Sequence, residues 1–341
     1  MAWLEQFDSD EISLALGLIT GILFGVFAQQ SQFCLRSATI EFWRGKPAGK
    51  FAIWLLTFGT AMLLTQLLMA NGLLPKALIR QLSTAGTLSG AIVGGILFGI
   101  GMILARGCAS RLLVLSATGN MRALVAGLVV TVASQASLRG VASPWRESIG
   151  SWWTIPAGAR DMSQYLTEYG GLLIALLSLG LAAVYVYRYK PKIWHVFGAI
   201  MVGASVALGW GLTAWHAGWS FEVVAIKSVS FTGPSADTLM GLINMPYIPL
   251  SFDIGIVMGV FAGSGTAAWI SGQFKVQTFD ASTGLGRYLV GAVLMGFGGM
   301  LAGGCAVGAG VSGGAVMAAT AWLALFFMWL SAGITDRLID R

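Results

Sequence analysis

The sequence predicts an all-α integral membrane protein of about nine transmembrane helices plus short re-entrant helices. Three observations predict it: charge is scarce, charge-free stretches recur at membrane length, and two glycine-rich segments repeat each other. Of 341 residues, 10% are charged and 56% apolar, with a mean hydropathy of +0.78. A soluble domain carries about 25% charged residues, so hydrocarbon is the main solvent of this chain. One transmembrane domain over residues 1–341 accounts for all of it.

Stretches free of Asp, Glu, Lys and Arg run over 12–35, 51–75, 81–105, 123–138, 169–187, 193–221, 254–274 and 288–335. A span needs about 20 mainly apolar residues. The first seven stretches each supply one, with 123–138 the shortest. The last supplies two, broken in the glycine-rich segment 303–314. Nine spans put the termini on opposite sides. With the N-terminus outside, 14 of the 20 Lys and Arg residues face inward, and Glu5, Asp8, Asp10 and Glu11 stay outside. That acidic end lacks the positive start of a signal peptide and is expected to remain attached. Segment 139–168 is too polar to span, and its Trp145, Trp152 and Trp153 suit an interfacial belt. Segment 238–252, with Pro246 and Pro249, reads as re-entrant or interfacial.

Residues 94–109, GGILFGIGMILARGCA, align with 291–306, GAVLMGFGGMLAGGCA, at an offset of 197. Duplicated halves, roughly 12–138 and 170–335, with matching interrupted segments point to the central site of a transporter. The nine-span count runs these two segments in opposite directions, as inverted repeats require. A weaker echo, Gly25–Ala28 with Gly259–Ala262, comes out parallel. Either that pairing is chance or the count misses a half-helix.

The chemistry-bearing residues cluster at the ends of apolar runs. Cys108 lies in Arg106-Gly107-Cys108-Ala109-Ser110-Arg111, and Cys305 follows Gly303-Gly304 in a segment with six glycines in the twelve residues 303–314. Such density is poor helix material. It predicts a helix that stops inside the membrane, a tight turn, and a short helix whose free N–H groups suit an anion. Cys34 sits in Gln29-Gln30-Ser31-Gln32-Phe33-Cys34-Leu35-Arg36, too polar for a lipid-facing stretch. A lone cysteine in a membrane helix is usually a small buried hydrophobe; the duplicated Gly-Cys-Ala argues against that here. Arg106 and Arg111 either draw in an anion or snorkel to headgroups.

Other classes are excluded or weakened. The net charge of +6 includes no basic run, which removes nucleic acid. Three distant cysteines make neither a disulfide framework nor a CxxC pair. His195 and His216, beside Trp194 and Trp215 near span ends, read as interfacial and make a poor metal set, so no metal or cofactor is expected.

The segments around the three cysteines, with Ser230–Leu239, resemble the YeeE/YedE family of bacterial inner-membrane proteins. The resemblance implies thiosulfate uptake through an hourglass of helices, with Cys108, Cys305 and Cys34, in that order from outside, relaying the ion by transient thiol hydrogen bonds. Gln32, Arg36, Arg106, Gly107, Arg111 and Gly304 belong to the same implied path. It also implies a small cytosolic sulfur-carrier partner (TusA-like). Another sulfur or selenium cargo stays open, and a membrane thiol oxidoreductase stays open only if the cysteines converge in space. No intramembrane Asp or Glu stands out as a proton relay except Asp253, at the edge of an apolar run, so facilitated movement is the expectation.

Overall fold

Glycine decides how closely these helices approach. The computed structural model describes residues 8–46, 49–166, 169–244, 246, 249–278 and 284–340; Glu5 and Arg341, used in the charge count, lie outside them. Among the described residues, nine helical segments are long and apolar enough to cross a membrane, as the sequence predicts. The protein is a multi-pass, all-α membrane protein.

The first segment is α1 (Ser9–Ser31) followed, after a break, by α2 (Leu35–Trp43). The Glu41 carboxylate accepts the Gly49 and Lys50 N–H groups at 2.9 and 2.8 Å, which fixes the start of α3 (Lys50–Ala70) against α2. A short helix, α4 (Arg80–Ser83), and strand β1 (Gly86–Thr87) precede α5 (Leu88–Leu104), α6 (Ala109–Ala117) and α7 (Met121–Arg139). Thr87 and Asn120 cap α5 and α7 through their side chains. Next come α8 (Ser143–Ser151), strand β2 (Thr154–Ile155), which pairs antiparallel with β1, and α9 (Gly170–Tyr189). Trp145, Trp152 and Trp153 of this polar segment are exposed, as a belt residue should be. The rest is α10 (Ile193–Trp219), α11 (Thr232–Asn244), α12 (Phe252–Ile270), α13 (Leu285–Leu301), a π-helical turn (Ala306–Ser312), α14 (Gly313–Ala315) and α15 (Ala319–Ile339).

Helices α5 and α13 occupy the same positions in the two aligned segments, and they pack on each other antiparallel. A side chain at Gly101 would lie 2.5 Å from the Gly291 carbonyl, and one at Gly298 would lie 2.7 Å from the Gly94 carbonyl. Other pairs come in mirrored sets: α1 on α12 and α10 on α3, α15 on α5 and α7 on α13, α2 on α3 and α11 on α12. Helix α9 packs on α3 and has no counterpart in those sets.

The weaker echo has a different origin. Helices α1 and α12 lie side by side and parallel, with Gly21 facing Ile256 and Gly25 facing Val260. Their shared glycine spacing is a packing stripe between neighbours, so the two are not mates of an inverted pair.

The two faces differ in charge. On the N-terminal face, Ser9 meets His216 and Lys227 pairs with Asp253 at 2.6 Å. On the C-terminal face, Arg44 grips fully buried Asp336 through two bonds of 2.7 Å, and Arg287 pairs with Asp340 at 2.8 Å. The Arg287 guanidinium holds the Asp340 carboxyl below the usual carboxylate range.

Gly21→Val and Gly259→Val should each lower the melting temperature of the detergent-purified protein, because a Cβ at either meets a carbonyl oxygen of the partner helix at 2.5 Å. Overpacking of this kind costs about 1–3 kcal/mol. Gly180→Ala in α9, with open space around it, should instead leave the melting temperature unchanged or raise it.

Candidate functional site

Each of the three cysteines stands at the same place in an interrupted helix. Helix α1 stops at Ser31, α5 at Leu104 and α13 at Leu301, and a short helical segment starts just after Cys34, Cys108 and Cys305. Two residues before each cysteine the backbone turns left-handed, at Gln32 (φ 54°), Arg106 (φ 57°) and Gly303 (φ 82°). The cysteine itself is extended, and its carbonyl accepts the N–H four residues on: Ala38, Leu112 and Ala309, at 3.2, 2.9 and 2.8 Å. All three thiols thus sit at helix N-caps, where backbone N–H groups lack helical partners.

The turns explain some of the glycines. At Gly304 a side chain would run to 2.7 Å from the backbone nitrogen of Ala309, so this turn admits only glycine. At Gly107 the nearest neighbour is the flexible Leu112 side chain, and the constraint is weaker.

Cys34 is 7%, Cys108 1% and Cys305 0% exposed, so none faces lipid or water. The Cys34 and Cys108 thiols are side-chain neighbours, with Ser37 and Arg111 beside Cys34 and the Ser110 hydroxyl 3.3 Å from Cys108 Sγ. Cys305 is held differently: the Gly308 N–H donates to its sulfur at 3.4 Å. Because Ala105 lies by Gly291 and Ala302 by Gly94, the breaks before Cys108 and Cys305 sit at opposite ends of the α5–α13 contact. Eleven residues along α5 separate them, about 16 Å at 1.5 Å per residue.

This arrangement groups Cys34 with Cys108 and sets Cys305 apart at the other end of the α5–α13 contact, which differs from the order that the resemblance implies.

The charged residues divide as well. Arg111, beside Cys34, is in no ion pair among the described residues, and its Nη1 is buried without a hydrogen-bond partner. A buried guanidinium nitrogen is costly to leave unpaired, and Arg36, Arg160 and Arg287 each have an Nε in the same state, but those three make other hydrogen bonds or ion pairs. Arg106 is exposed on its left-handed turn. Arg36 stands 3.9 Å from Asp340, on the C-terminal face. Gln32 is exposed and accepts from Lys50 Nζ at 2.6 Å.

Two other features differ from the sequence reading. His216, expected at an interface, is 1% exposed and lies between the Ser9 and Ser13 hydroxyls, each at 3.3 Å. Of the segment read as re-entrant or interfacial at 238–252, residues 238–244 belong to α11, which starts earlier, at Thr232; residues 245, 247 and 248 lie outside the described residues. Among the described residues no group of three or more His, Cys, Asp or Glu residues could hold a metal ion.

A family model described as sulphur transport matches residues 30–334, which include all three cysteines. Thiosulfate transporter TsuA of Spirochaeta thermophila is 28% identical over 343 residues, covering 94% of this chain and 98% of that protein. The protein of the same name from Escherichia coli K12 is 28% identical over 346 residues, covering 95% and 94%.

The turns predict opposite responses to substitution. Gly304→Ala should lower the melting temperature, since its Cβ meets backbone and the loop before Cys305 cannot keep its path. Arg106→Gly should hold or raise it, because a left-handed residue with a Cβ costs about 1 kcal/mol that glycine does not. Differential scanning fluorimetry of the two purified variants checks both signs.

Proposed function

The chain belongs to the sulphur-transport family, and we propose that it carries thiosulfate across a bacterial inner membrane along a passage lined by Cys305, Cys108 and Cys34. The observation that carries this reading is Arg111, half-buried with an unpaired, buried Nη1, near the neighbouring Cys34 and Cys108 thiols at the N-termini of α2 and α6. Thiosulfate is a dianion with one soft sulfur and three oxygens. The soft end suits thiol S–H donors, and the oxygens suit a guanidinium and free N–H groups. Weak thiol bonds let the ion enter and leave, the balance that conduction requires.

With the N-terminus outside, as the Lys and Arg bias suggests, the ion meets Cys305 first and the Cys108–Cys34 pair about 16 Å further in. It leaves on the face where Arg36, Arg44, Arg106 and Arg287 gather around Asp336 and Asp340. A small sulfur-carrier protein of the TusA type would receive it there. On this reading the two halves of the transport domain are inverted copies, α1–α7 and α10–α15, with α9 between them. The named relatives support thiosulfate over other sulfur or selenium cargo.

The adjacency of Cys34 and Cys108 also favours a second reading, a thiol oxidoreductase, because exchange needs thiols in contact. The two readings separate in sealed proteoliposomes that hold no electron acceptor. A transporter still accumulates label from radiolabelled thiosulfate, and an oxidoreductase does not.

In the same vesicles Cys34→Ala, Cys108→Ala and Cys305→Ala should each cut initial uptake at least tenfold at equal protein content. Arg111→Gln should raise the half-saturating concentration about tenfold or more, the scale of one lost charge-assisted contact. Wild-type rates in all three cysteine variants would mean that the thiols only pack.

A further inference from the structure

The interrupted elements include a fourth short helix, α11, whose start carries no cysteine. The Phe231 carbonyl accepts the Ser235 N–H at 2.9 Å, the same bond that the three cysteine carbonyls make at their own helix starts. Helix α11 packs on α12 and α7 as α2 packs on α3 and α15. The place filled by a thiol in three helices is therefore filled here by Phe231. Its ring is 1% exposed and centred 5.1 Å from that of Phe24, which meets Phe33, the residue before Cys34, at 6.5 Å.

The residues on either side of Phe231 touch both ends of the Cys305 loop. Ser230 lies against Gly308, the residue whose N–H donates to Cys305 Sγ; a side chain at Gly308 would collide with the Ser230 hydroxyl. Thr232 lies against Gly299, whose carbonyl accepts the Gly304 N–H at 2.8 Å and so closes the turn before Cys305.

The hydroxyl of Thr232 is the second, independent sign of a ligand. Thr232 is 1% exposed, and its Oγ1 is buried with no hydrogen-bond partner among the described residues. Thr20, Thr131, Thr213 and Thr238 each donate to a carbonyl of their own helix four residues back. Thr232, in the first turn, has no such carbonyl in its own helix. A buried donor at the mouth of a helix, next to a thiol loop, is placed to meet an anion.

We infer that Thr232 donates its hydroxyl hydrogen to an oxygen of the transported sulfur oxyanion beside Cys305, with Phe231 closing the apolar side of that subsite. This rests on the thiosulfate reading above. It divides the work by chemistry: thiols meet the soft sulfur and a hydroxyl, the stronger donor, meets oxygen.

The test uses full-length protein in proteoliposomes with radiolabelled thiosulfate, comparing wild type, Thr232→Val and Thr232→Ser. Thr232→Val keeps the shape and removes the donor. It should raise the half-saturating concentration about tenfold, on the scale of a hydrogen bond to a charged acceptor. Its ligand-free melting temperature should stay equal or rise, and the melting-temperature increase given by added thiosulfate should shrink. Thr232→Ser should stay within about twofold of wild type, since it keeps the hydroxyl. A Thr232→Val variant with wild-type half-saturation overturns the inference, as does a Thr232→Ser variant equally impaired or a Thr232→Val variant that melts lower with its thiosulfate shift intact. Wild-type vesicles that take up no thiosulfate overturn the cargo itself, a result distinct from the other three.

Discussion

A helix broken inside hydrocarbon leaves N–H and C=O groups that no water can satisfy, and the rest of this structure depends on how those groups are held. Each break before a cysteine closes on itself first: Gln32, Arg106 and Gly303 donate back to Gln29, Ile103 and Met300. These bonds satisfy part of the carbonyl side, and the N-terminal side of the following short helix keeps N–H groups without helical partners. The cysteine sits at that opening in every case. The unsatisfied backbone is the part of the molecule most able to hold an anion, and the thiol is the side chain nearest to it.

Such openings are expensive, so the surrounding helices hold them rigidly. Gly94, Gly101, Gly291 and Gly298 let α5 and α13 meet backbone to backbone, and Gly17, Gly21 and Gly25 do the same for α1 against α12. Close contact of this kind replaces the hydrophobic drive that lipid does not supply between helices. Charge is compensated in the same spirit. Asp336 is fully buried yet paired twice by Arg44, and Asp340 is held by Arg287 and Arg36. Arg111 differs from these arginines in having no ion pair among the described residues as well as a buried Nη1 without a partner, and the proposed function gives that charge to the ligand.

Much of this was legible in the sequence because it depends on local pattern. Span count follows from runs without charge, and the breaks at Cys108 and Cys305 follow from the repeated Gly-Cys-Ala. The matched span of α5 and α13, Leu88–Leu104 and Leu285–Leu301, is the repeat seen as structure. What depends on tertiary approach was not legible. Nothing local says that Cys34 and Cys108, 74 positions apart, are neighbours. Nothing local turns Gln32 toward Lys50 or buries His216 between two serines of α1. The parallel glycine echo misled for a related reason: a close-packed stripe has the same spacing in two helices that touch as in two that are copies.

The odd number of spans follows from the same geometry. If four spans are duplicated directly, the second set enters the membrane in the same direction as the first, because four crossings return the chain to its starting side. Cys108 and Cys305 would then lie at the same depth. Helix α9 adds a fifth crossing before α10, and the second set runs the other way. Its packing, mainly on α3, fits a helix whose place is set by this topological need, outside the mirrored contacts. The consequence is that one pattern, an apolar helix, a left-handed residue and a thiol at a helix start, ends α5 and α13 at opposite ends of their contact, about 16 Å apart along α5. On the proposed function, two stations at separate depths are what a relay across hydrocarbon needs. A single glycine-rich turn, however well it bound an anion, would hold the ion at one level and carry it nowhere.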